Sequence, residues 1–551
     1  MRLSTSSAFV CSAAALVPLT SLSAVGQCGD EIIRSAELDG SNGFRIVRDP
    51  DTPLYAYAGP GFSVAGGGDL NGDGIADIVV HSEYGEDGPP AFVLYGRAGG
   101  NTFSAEMTEY DFNGNDGTIL FDATLRVIAE PIGDVNNDGI QDISVRTYYG
   151  SSRYIVFGRD ASSPFPANAS VADYLDGAQG FEIINSDSTQ SLGVVHRAGD
   201  LNGDGIDDLL VNNTEAQSGD PEIDGQVFVV YGRDASETFP STFDVSSIDG
   251  TNGFAFNGTG SNPVRGAQPI GDVNGDGVDD VYISRGRTRN VGHVIFGRDQ
   301  SNPFPAAVQP AIATGGFRLT GASWLAEPVG DVNDDGTDDF LMTSSNWEAF
   351  LLFGRPESGP FPNVVHIPDL GVGEGVEITG IDYPTRIDAA GDFNGDGIAD
   401  LVITDYIEDA GNVAEAGAVY VIFGRPATDP FSATFDASQL DGSNGVMVHG
   451  PAANARFGFD VSQAGDLNSD GYDDIVVGAR SFGAYIIFGR PNPDPVPALA
   501  DTNGDGQLTP ADFNAWILAF NSNGPACDQN GDAVCTPGDF NAWILNFNTG
   551  C

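Results

Sequence analysis

A nine-residue run, Asp-x-Asn-x-Asp-Gly-x-x-Asp, occurs seven times in this chain, starting at Asp69, Asp134, Asp200, Asp272, Asp331, Asp392 and Asp466, each time after a glycine. Successive starts lie 65, 66, 72, 59, 61 and 74 residues apart, so the chain is a repeat protein of loosely equal units. Each run carries the oxygen donors of a hard cation. Besides the first Asp these are Asn71, Asn136, Asn202, Asn274, Asn333, Asn394 and Asn468 at position 3, and Asp73, Asp138, Asp204, Asp276, Asp335, Asp396 and Asp470 at position 5. Position 9 adds Asp77, Asp142, Asp208, Asp280, Asp339, Asp400 and Asp474. The backbone carbonyls of Ile75, Ile140, Ile206, Val278, Thr337, Ile398 and Tyr472 complete the set at position 7, reachable because glycine at position 6 tolerates a left-handed φ. Asp, Asn and Gly also make good turns, but a turn needs one or two of these residues, and all seven copies keep all four side-chain donors. Ca²⁺ is the expected ion at about seven such sites: Mg²⁺ demands a tighter octahedron, and zinc favours His or Cys, which the loops lack.

After each ninth-position Asp comes a short apolar, β-branched run, such as Ile78-Val79-Val80 or Ile475-Val476-Val477, which reads as a strand. A second run ends in Phe/Tyr-Gly-Arg at Arg97, Arg159, Arg233, Arg298, Arg355, Arg425 and Arg490. Weaker elements precede the loops, as in LDGSNGFRI from Leu38 and LDGSNGVMV from Leu440, and with a further strand just before each loop they make about four strands per unit. Four-stranded units repeated seven times, with no helical periodicity between them, predict an all-β, seven-bladed β-propeller. An open solenoid is the alternative; about 65 residues per turn is long for one, and distinct capping units are missing. An arginine ending the same strand in every unit is expected to pair structurally with a neighbouring blade's carboxylate rather than to form a functional ring.

The stretch Phe457-Gly458-Phe459-Asp460-Val461-Ser462, leading into GDLNSDGYDDIVVGAR, resembles the FG-GAP repeat of integrin α-subunit propellers, and GFSVAGGGDLNGDGIADIVV from Gly61 is a second good copy. Similar repeats occur in bacterial secreted proteins. The resemblance spans roughly residues 30–490 and implies a seven-bladed propeller with Ca²⁺ in its loops. The Phe-Gly and Gly-Ala-Pro portions are degenerate in the middle units, so the metal loops are better defined there than the blade boundaries.

Residues 1–26 combine Met1-Arg2, an apolar stretch from Ala8 to Leu22 and small residues at Ala24-Val25-Gly26, the pattern of a cleaved secretion signal. Pro18 interrupts the apolar run, which argues against a membrane-spanning helix, so no transmembrane segment is expected after cleavage. The expected product is secreted, extracellular or cell-surface associated. Removal of the signal leaves Cys28, Cys527, Cys535 and Cys551, and an even number in an exported chain fits disulfides, with three pairings open. The propeller is expected over residues 27–490 and a Pro-rich, extended linker over 491–500.

From residue 501 the period changes to 27. Asp501, Asn503, Asp505, Gln507 and Asp512 occupy positions 1, 3, 5, 7 and 12 of a loop, and Asp528, Asn530, Asp532, Val534 and Asp539 repeat them. Each loop runs into DFNAWIL, a helical pattern with proline in its first turn. Two such loop–helix units resemble a dockerin, the module that docks on a cohesin, and more closely the dockerin-like domains ending in Gly-Cys, here Gly550-Cys551. The resemblance implies a small α-helical domain over 501–551 with two more Ca²⁺ sites. Ala533 stands where the second loop should have its glycine, so that site is expected to be weaker. Pro510-Ala511 and Pro537-Gly538 fill the positions where dockerins read their cohesin, so a cohesin-like receptor stays one option among surface partners. Trp516 and Trp543, equivalent in the two helices, fit core packing of a small module better than partner contact.

All 23 cationic side chains are arginine, against 78 Asp and Glu, a net charge of −55. Such a surface repels nucleic acid and anionic lipid, and the absence of lysine excludes lysine Schiff bases and phosphate-loop lysines. Catalytic signals are thin. His81, His196, His293, His366 and His449 show no metal spacing, and no Gly-x-Ser-x-Gly elbow is present. Arg285, Arg287 and Arg289 form one unusual basic cluster, suited to a sulfate or uronate group or to neutralising nearby Asp. Two readings follow: a non-catalytic binding or adhesion module for a surface or matrix protein or glycan, tethered through its tail, and a polysaccharide lyase or hydrolase carrying a dockerin. Fold alone does not separate them.

Overall fold

The run that follows each Asp-rich loop is apolar without alternation, the pattern of a strand covered on both faces. The structure, a computed structural model, describes residues 32–491 apart from 48–59, 83–89, 100–102, 109–110, 123–126, 148–149, 151–152, 187–191, 218–222, 260–262, 286–290, 311–314, 345, 357, 411–412 and 481, together with residues 510–522. In it every residue of Asp280–Arg285, Asp339–Ser344, Asp400–Asp405 and Asp474–Ala479 is buried. Alternate side chains serve opposite neighbours. Ile78 and Val80 pack with Phe44 and Val476 on one side, while Val79 packs with Val127 and Ile143 on the other. Seven such apolar clusters exist, one between each pair of adjacent sheets around the ring.

The strands form seven separate sheets, the blades of a propeller. Their inner strands are Pro60–Gly68, Val127–Pro131, Val195–Gly199, Val264–Gly271, Ala322–Gly330, Arg386–Gly391 and Phe457–Gly465, which number blades 1 to 7. In blade 1 the chain continues antiparallel through Asp77–Ser82 and Ala91–Leu94 to the outer strand Gly117–Phe121. The expected four strands are present, and a fifth was not anticipated. Asn168–Ser170, which lies between the third and outer strands of blade 2, reaches back and pairs parallel with the outer strand of blade 1. Every blade has such a strap from its successor. It covers an edge that would otherwise present unpaired backbone groups, at a length of two or three residues that gave no sequence signal.

Closure of the ring excludes the solenoid. Blade 7 takes its first three strands from residues 457–487 and its outer strand from Gly43–Ile46, with Phe44 opposite Ile486. Blade 6 takes its strap from Ile32–Arg34, parallel to Gly445–His449. The segment 32–46 thus joins two blades made otherwise of the last part of the ring.

The described propeller residues belong to one compact unit and helix Pro510–Ser522 to another. In the latter, helix Pro510–Ser522 starts at the proline expected to begin it, and Trp516 is buried with its ring near those of Phe513 and Phe520. That is the packing role. The signal segment, the linker from 492 on, all four remaining cysteines, the first tail loop before Pro510, the whole second loop 528–539 with its Ala533, and Trp543 lie outside the described residues. Among the described residues no helix is long and apolar enough to cross a membrane.

Phe44 is fully buried and stacks on Phe103 at 4.4 Å. Phe44→Ala is expected to cost about 3–5 kcal/mol in denaturant unfolding, the price of a large cavity at the one junction held by non-consecutive chain. A loss under about 1 kcal/mol would show that ring closure does not depend on this strand.

Candidate functional site

The Asp-rich loops join inner to second strands, so all seven lie at one end of the ring. Within each, backbone N–H groups are taken up by the loop's own side chains. The first Asp accepts from the glycine N–H of position 6 at 2.7–2.9 Å in all seven. The Asp of position 5 accepts from the N–H of position 7 in all seven at 2.9–3.1 Å. Position 3 behaves in two ways. The Oδ1 of Asn71, Asn136 and Asn394 accepts from the N–H of position 5, whereas that of Asn202, Asn274, Asn333 and Asn468 is buried with no hydrogen-bond partner. Asp392 Oδ1 is in the same condition. Buried acceptors without a donor are uncommon in folded proteins. Among the described residues no three His, Cys, Asp or Glu side chains close into a ready-made cluster; the loops offer mixed donors of carboxylate, amide and carbonyl type.

The ninth-position Asp has a second task that the motif alone does not disclose. It is fully buried in every blade, and its two oxygens join two strands. One accepts from the loop backbone, as Asp77 does from Leu70 N at 2.8 Å; the other accepts from the glycine of Phe/Tyr-Gly-Arg, as Asp77 does from Gly96 N at 2.8 Å. The second bond recurs at Asp142, Asp208, Asp280, Asp339, Asp400 and Asp474 within 2.8–3.0 Å. In three blades the position-3 amide adds to these bonds, Asn202 Nδ2 donating to Asp208, Asn274 Nδ2 to Asp280 and Asn333 Nδ2 to Asp339. Burial pushes all seven carboxyls well above the usual range, repulsion from the Asp at positions 1 and 5 adds to it, and the N–H bonds oppose it.

Two glycines serve this arrangement for different reasons. At position 6 a Cβ would meet nothing within 4 Å, and the requirement is torsional, with φ of 85° at Gly74 and 88° at Gly397. In Phe/Tyr-Gly-Arg a Cβ would strike the carbonyl of loop position 8, 2.3 Å away at Gly96 and 2.4 Å at Gly424. Position 4 is left-handed as well, including the non-glycine residues Asn137, Asp334 and Ser469, a requirement not read from sequence.

The arginine that follows links neighbouring blades through its backbone. Its N–H donates to the carbonyl of position 2 in the preceding blade's loop, from Arg159 to Leu70 through to Arg490 to Phe393, and Arg97 to Leu467 closes the circle. The guanidinium corrects the expectation of a carboxylate in the next blade. Arg97, Arg159, Arg233, Arg298, Arg355 and Arg425 lie 4.4–5.7 Å over the ring of the phenylalanine six residues on, at the start of the strap. In four cases that ring stacks on an outer-strand phenylalanine of the preceding blade, as Phe239 does on Phe181 at 4.3 Å. Where carboxylates take part, as in Arg97–Asp116 and Arg355–Glu374, they belong to the same blade. The recurrence of Arg-x5-Phe was the available signal. In the other basic cluster, Arg285 is buried and donates to the Pro310 carbonyl; Arg287 and Arg289 lie outside the described residues.

The FG-GAP repeat family matches residues 385–422 and 457–492, in each case the inner three strands of a blade with their loop. The propeller carries FG-GAP repeats. The chain is 34% identical over 99 residues to integrin alpha-PS5 of Drosophila melanogaster (18% of this chain, 9% of that protein) and 31% over 138 residues to integrin alpha-6 of Gallus gallus (24% and 11%). It is 28% identical over 242 residues to integrin alpha pat-2 of Caenorhabditis briggsae (41% and 18%). The chain therefore spans less than a fifth of the length of these relatives.

The inner strands line a central channel of about 500 Å³. Into it face Glu130, His196, Arg197, Glu327, Arg386, Asp388 and Asp460. Arg386 Nε pairs with Asp460 at 3.2 Å, and Asp460 also accepts from Ser63 Oγ at 2.8 Å. Burial, reinforced by Asp460, pushes Asp388 up to about 7; burial and the same acidic neighbours raise Glu327 well above the usual carboxyl range. The inner strands carry no motif that would have singled these residues out.

Gly424→Ala is expected to lose about 3 kcal/mol and Gly397→Ala about 1 kcal/mol in chemical unfolding, since one meets backbone and the other only a torsional penalty. Equal losses would refute this division. The Asp388 carboxyl is more protonated in the folded than in the unfolded protein between about pH 4 and 7, so its contribution is full below the unfolded value and is lost as pH rises through 7. Asp388→Asn is therefore expected to raise stability at pH 8 by about 1–2 kcal/mol, less than the full shift implies because the channel admits water, and by little at pH 4. An equal gain at both pH values would refute this.

Proposed function

We propose that this chain is a calcium-stiffened, non-catalytic binding or adhesion module of the extracellular space, held at a cell surface or in an extracellular assembly by a dockerin-like tail. The observation that carries the metal part is the set of buried, partnerless oxygens at Asn202, Asn274, Asn333 and Asn468, a residue position already singled out as a donor. A hard cation would give those oxygens a partner and offset the repulsion among the three carboxylates of each loop. Bound there, it would tie the loop to the strand end that the ninth Asp and its glycine already join, and so stiffen one end of every blade. The binding role takes its support from the likeness to integrin alpha chains. Its ligand class is a cell-surface or matrix protein or glycan, and the tail would engage a separate receptor, cohesin-like in one version. Secretion through residues 1–26 belongs to the same proposal.

A second reading, a polysaccharide lyase or hydrolase, has one observation in its favour: the channel holds Asp388, titrating near neutrality, beside Arg386 and Asp460. Loss of acidic-polysaccharide cleavage on Asp388→Asn would select it; no turnover by the parent protein removes it.

Thermal unfolding in EDTA and then in millimolar Ca²⁺ tests the metal. With ion at 100 times the dissociation constant, each independent site adds about 2.7 kcal/mol, so the midpoint should rise markedly. An unchanged midpoint would sink the proposal.

A further inference from the structure

Residues 281–326, from the second strand of blade 4 to the inner strand of blade 5, hold five arginines against one acid, Asp299. Their local charge is +4 in a chain whose net charge is −55. Asp299 is engaged at the loop end of the blade, where it accepts from Ser301 Oγ at 2.6 Å. The basic residues Arg285, His293 and Arg318 take part in neither the Asp-rich loops nor the channel.

Blade 4 brings these three to one face. His293 on the third strand stands opposite Ile283 on the second and Arg318 on the outer strand, and the row continues to Val364 of the strap. Ile283 packs with Leu210 and Phe256 of blade 3, so the shared face is the one turned toward that blade. Arg285, two residues beyond Ile283, lies on the same face; it is buried and donates to the Pro310 carbonyl. The row begins in the core at Ile283 and ends at Val364, which is 48% exposed. The basic group therefore sits at the outer wall of the propeller, where solvent reaches it.

Charge balance is missing there. Among the described residues eight arginines pair with a carboxylate, as Arg265 does with Asp224 and Arg456 with Glu415, but neither Arg318 nor His293 does so. Arg318 Nε and His293 Nδ1 are buried with no hydrogen-bond partner. Burial, with Arg285 and Arg318 beside it, pushes the His293 imidazole down to about 4. The ring is thus neutral near pH 7 and keeps one N–H to donate. A buried cation or donor without a partner is costly, and an entering anion offsets that cost. A guanidinium suits an oxyanion best, since its fork can give two parallel bonds.

We infer that this niche between blades 3 and 4 holds an oxyanion of the sulfate or carboxylate type, either free or carried on an acidic polysaccharide, with Arg318 and His293 as donors. The inference rests on the binding-module reading and names a ligand class for it. Isothermal titration calorimetry on the full chain in Ca²⁺ tests it with sodium sulfate, sodium acetate, a sulfated oligosaccharide and the same oligosaccharide desulfated. Binding of the simple salts alone assigns the free ion, and tighter binding of the sulfated sugar assigns the polysaccharide. In either case Arg318→Gln should weaken binding about tenfold, Arg318→Lys should weaken it less, and Arg456→Gln should leave it unchanged. No binding of any anionic probe by the parent overturns the inference. Equal weakening by Arg456→Gln also overturns it, as a response to overall charge. If the desulfated sugar binds as tightly as the sulfated one and Arg318→Gln does not affect it, the niche is wrong while the binding-module reading stands. Melting each variant with and without Ca²⁺ shows that it is folded and separates failure of this niche from failure of the metal reading.

Discussion

A fully buried carboxylate at the end of each blade's second strand holds the architecture together. Its oxygens accept one N–H from the Asp-rich loop and one from the glycine that ends the third strand. A carboxylate out of water needs such donors to remain, and the two that it finds belong to different parts of the blade. Once they are joined, the next residue, an arginine, is placed to donate to the previous blade's loop, and its guanidinium to lie on the phenylalanine that opens the strap. Local turn, blade and ring therefore depend on one group, and replacing it affects all three levels together.

Fold class and repeat number were legible because the constraint is repeated and local. The Asp-rich loop, the unalternating strand after it and the terminal Phe/Tyr-Gly-Arg all lie within about 31 residues of one another. What sequence reading missed is either short or distributed. Straps of two or three residues carry no periodicity, and the arginine's aromatic partner is visible only as Arg-x5-Phe, a spacing without a familiar motif. Glu327, Asp388 and Asp460 come together because inner strands of blades 5, 6 and 7 adjoin one channel, and no feature of any single segment announces it. The ninth Asp illustrates a partial reading. Its residue type suits a cation, yet its bonds to Leu70 and Gly96 would require the same side chain in a bare turn-and-strand junction.

The two ends of the ring divide the work differently. At the loop end, glycines and carboxylates recur in every blade, and the left-handed residues are those the loop itself demands. At the other end, the described connections of blades 5–7 differ from one another in length and composition and expose Trp347, Tyr383 and Phe482. Repetition marks the frame; departures from it are where a repeat protein can differ in what it contacts.

Ring closure also sets an order of events in time. Phe44 pairs with Ile486 across more than 440 residues of chain, and at synthesis rates of about 5–20 residues per second its partner strand follows roughly 20–90 seconds later. Throughout that interval an apolar four-residue strand exists without its sheet, while blades 1 to 6 can assemble in sequence. The short strand, flanked by Arg45 within and Arg48 just beyond, is a small target for off-pathway pairing. The last blade to emerge is thus the one that turns a growing row of sheets into a closed object, and the nascent protein spends most of its synthesis as an open arc.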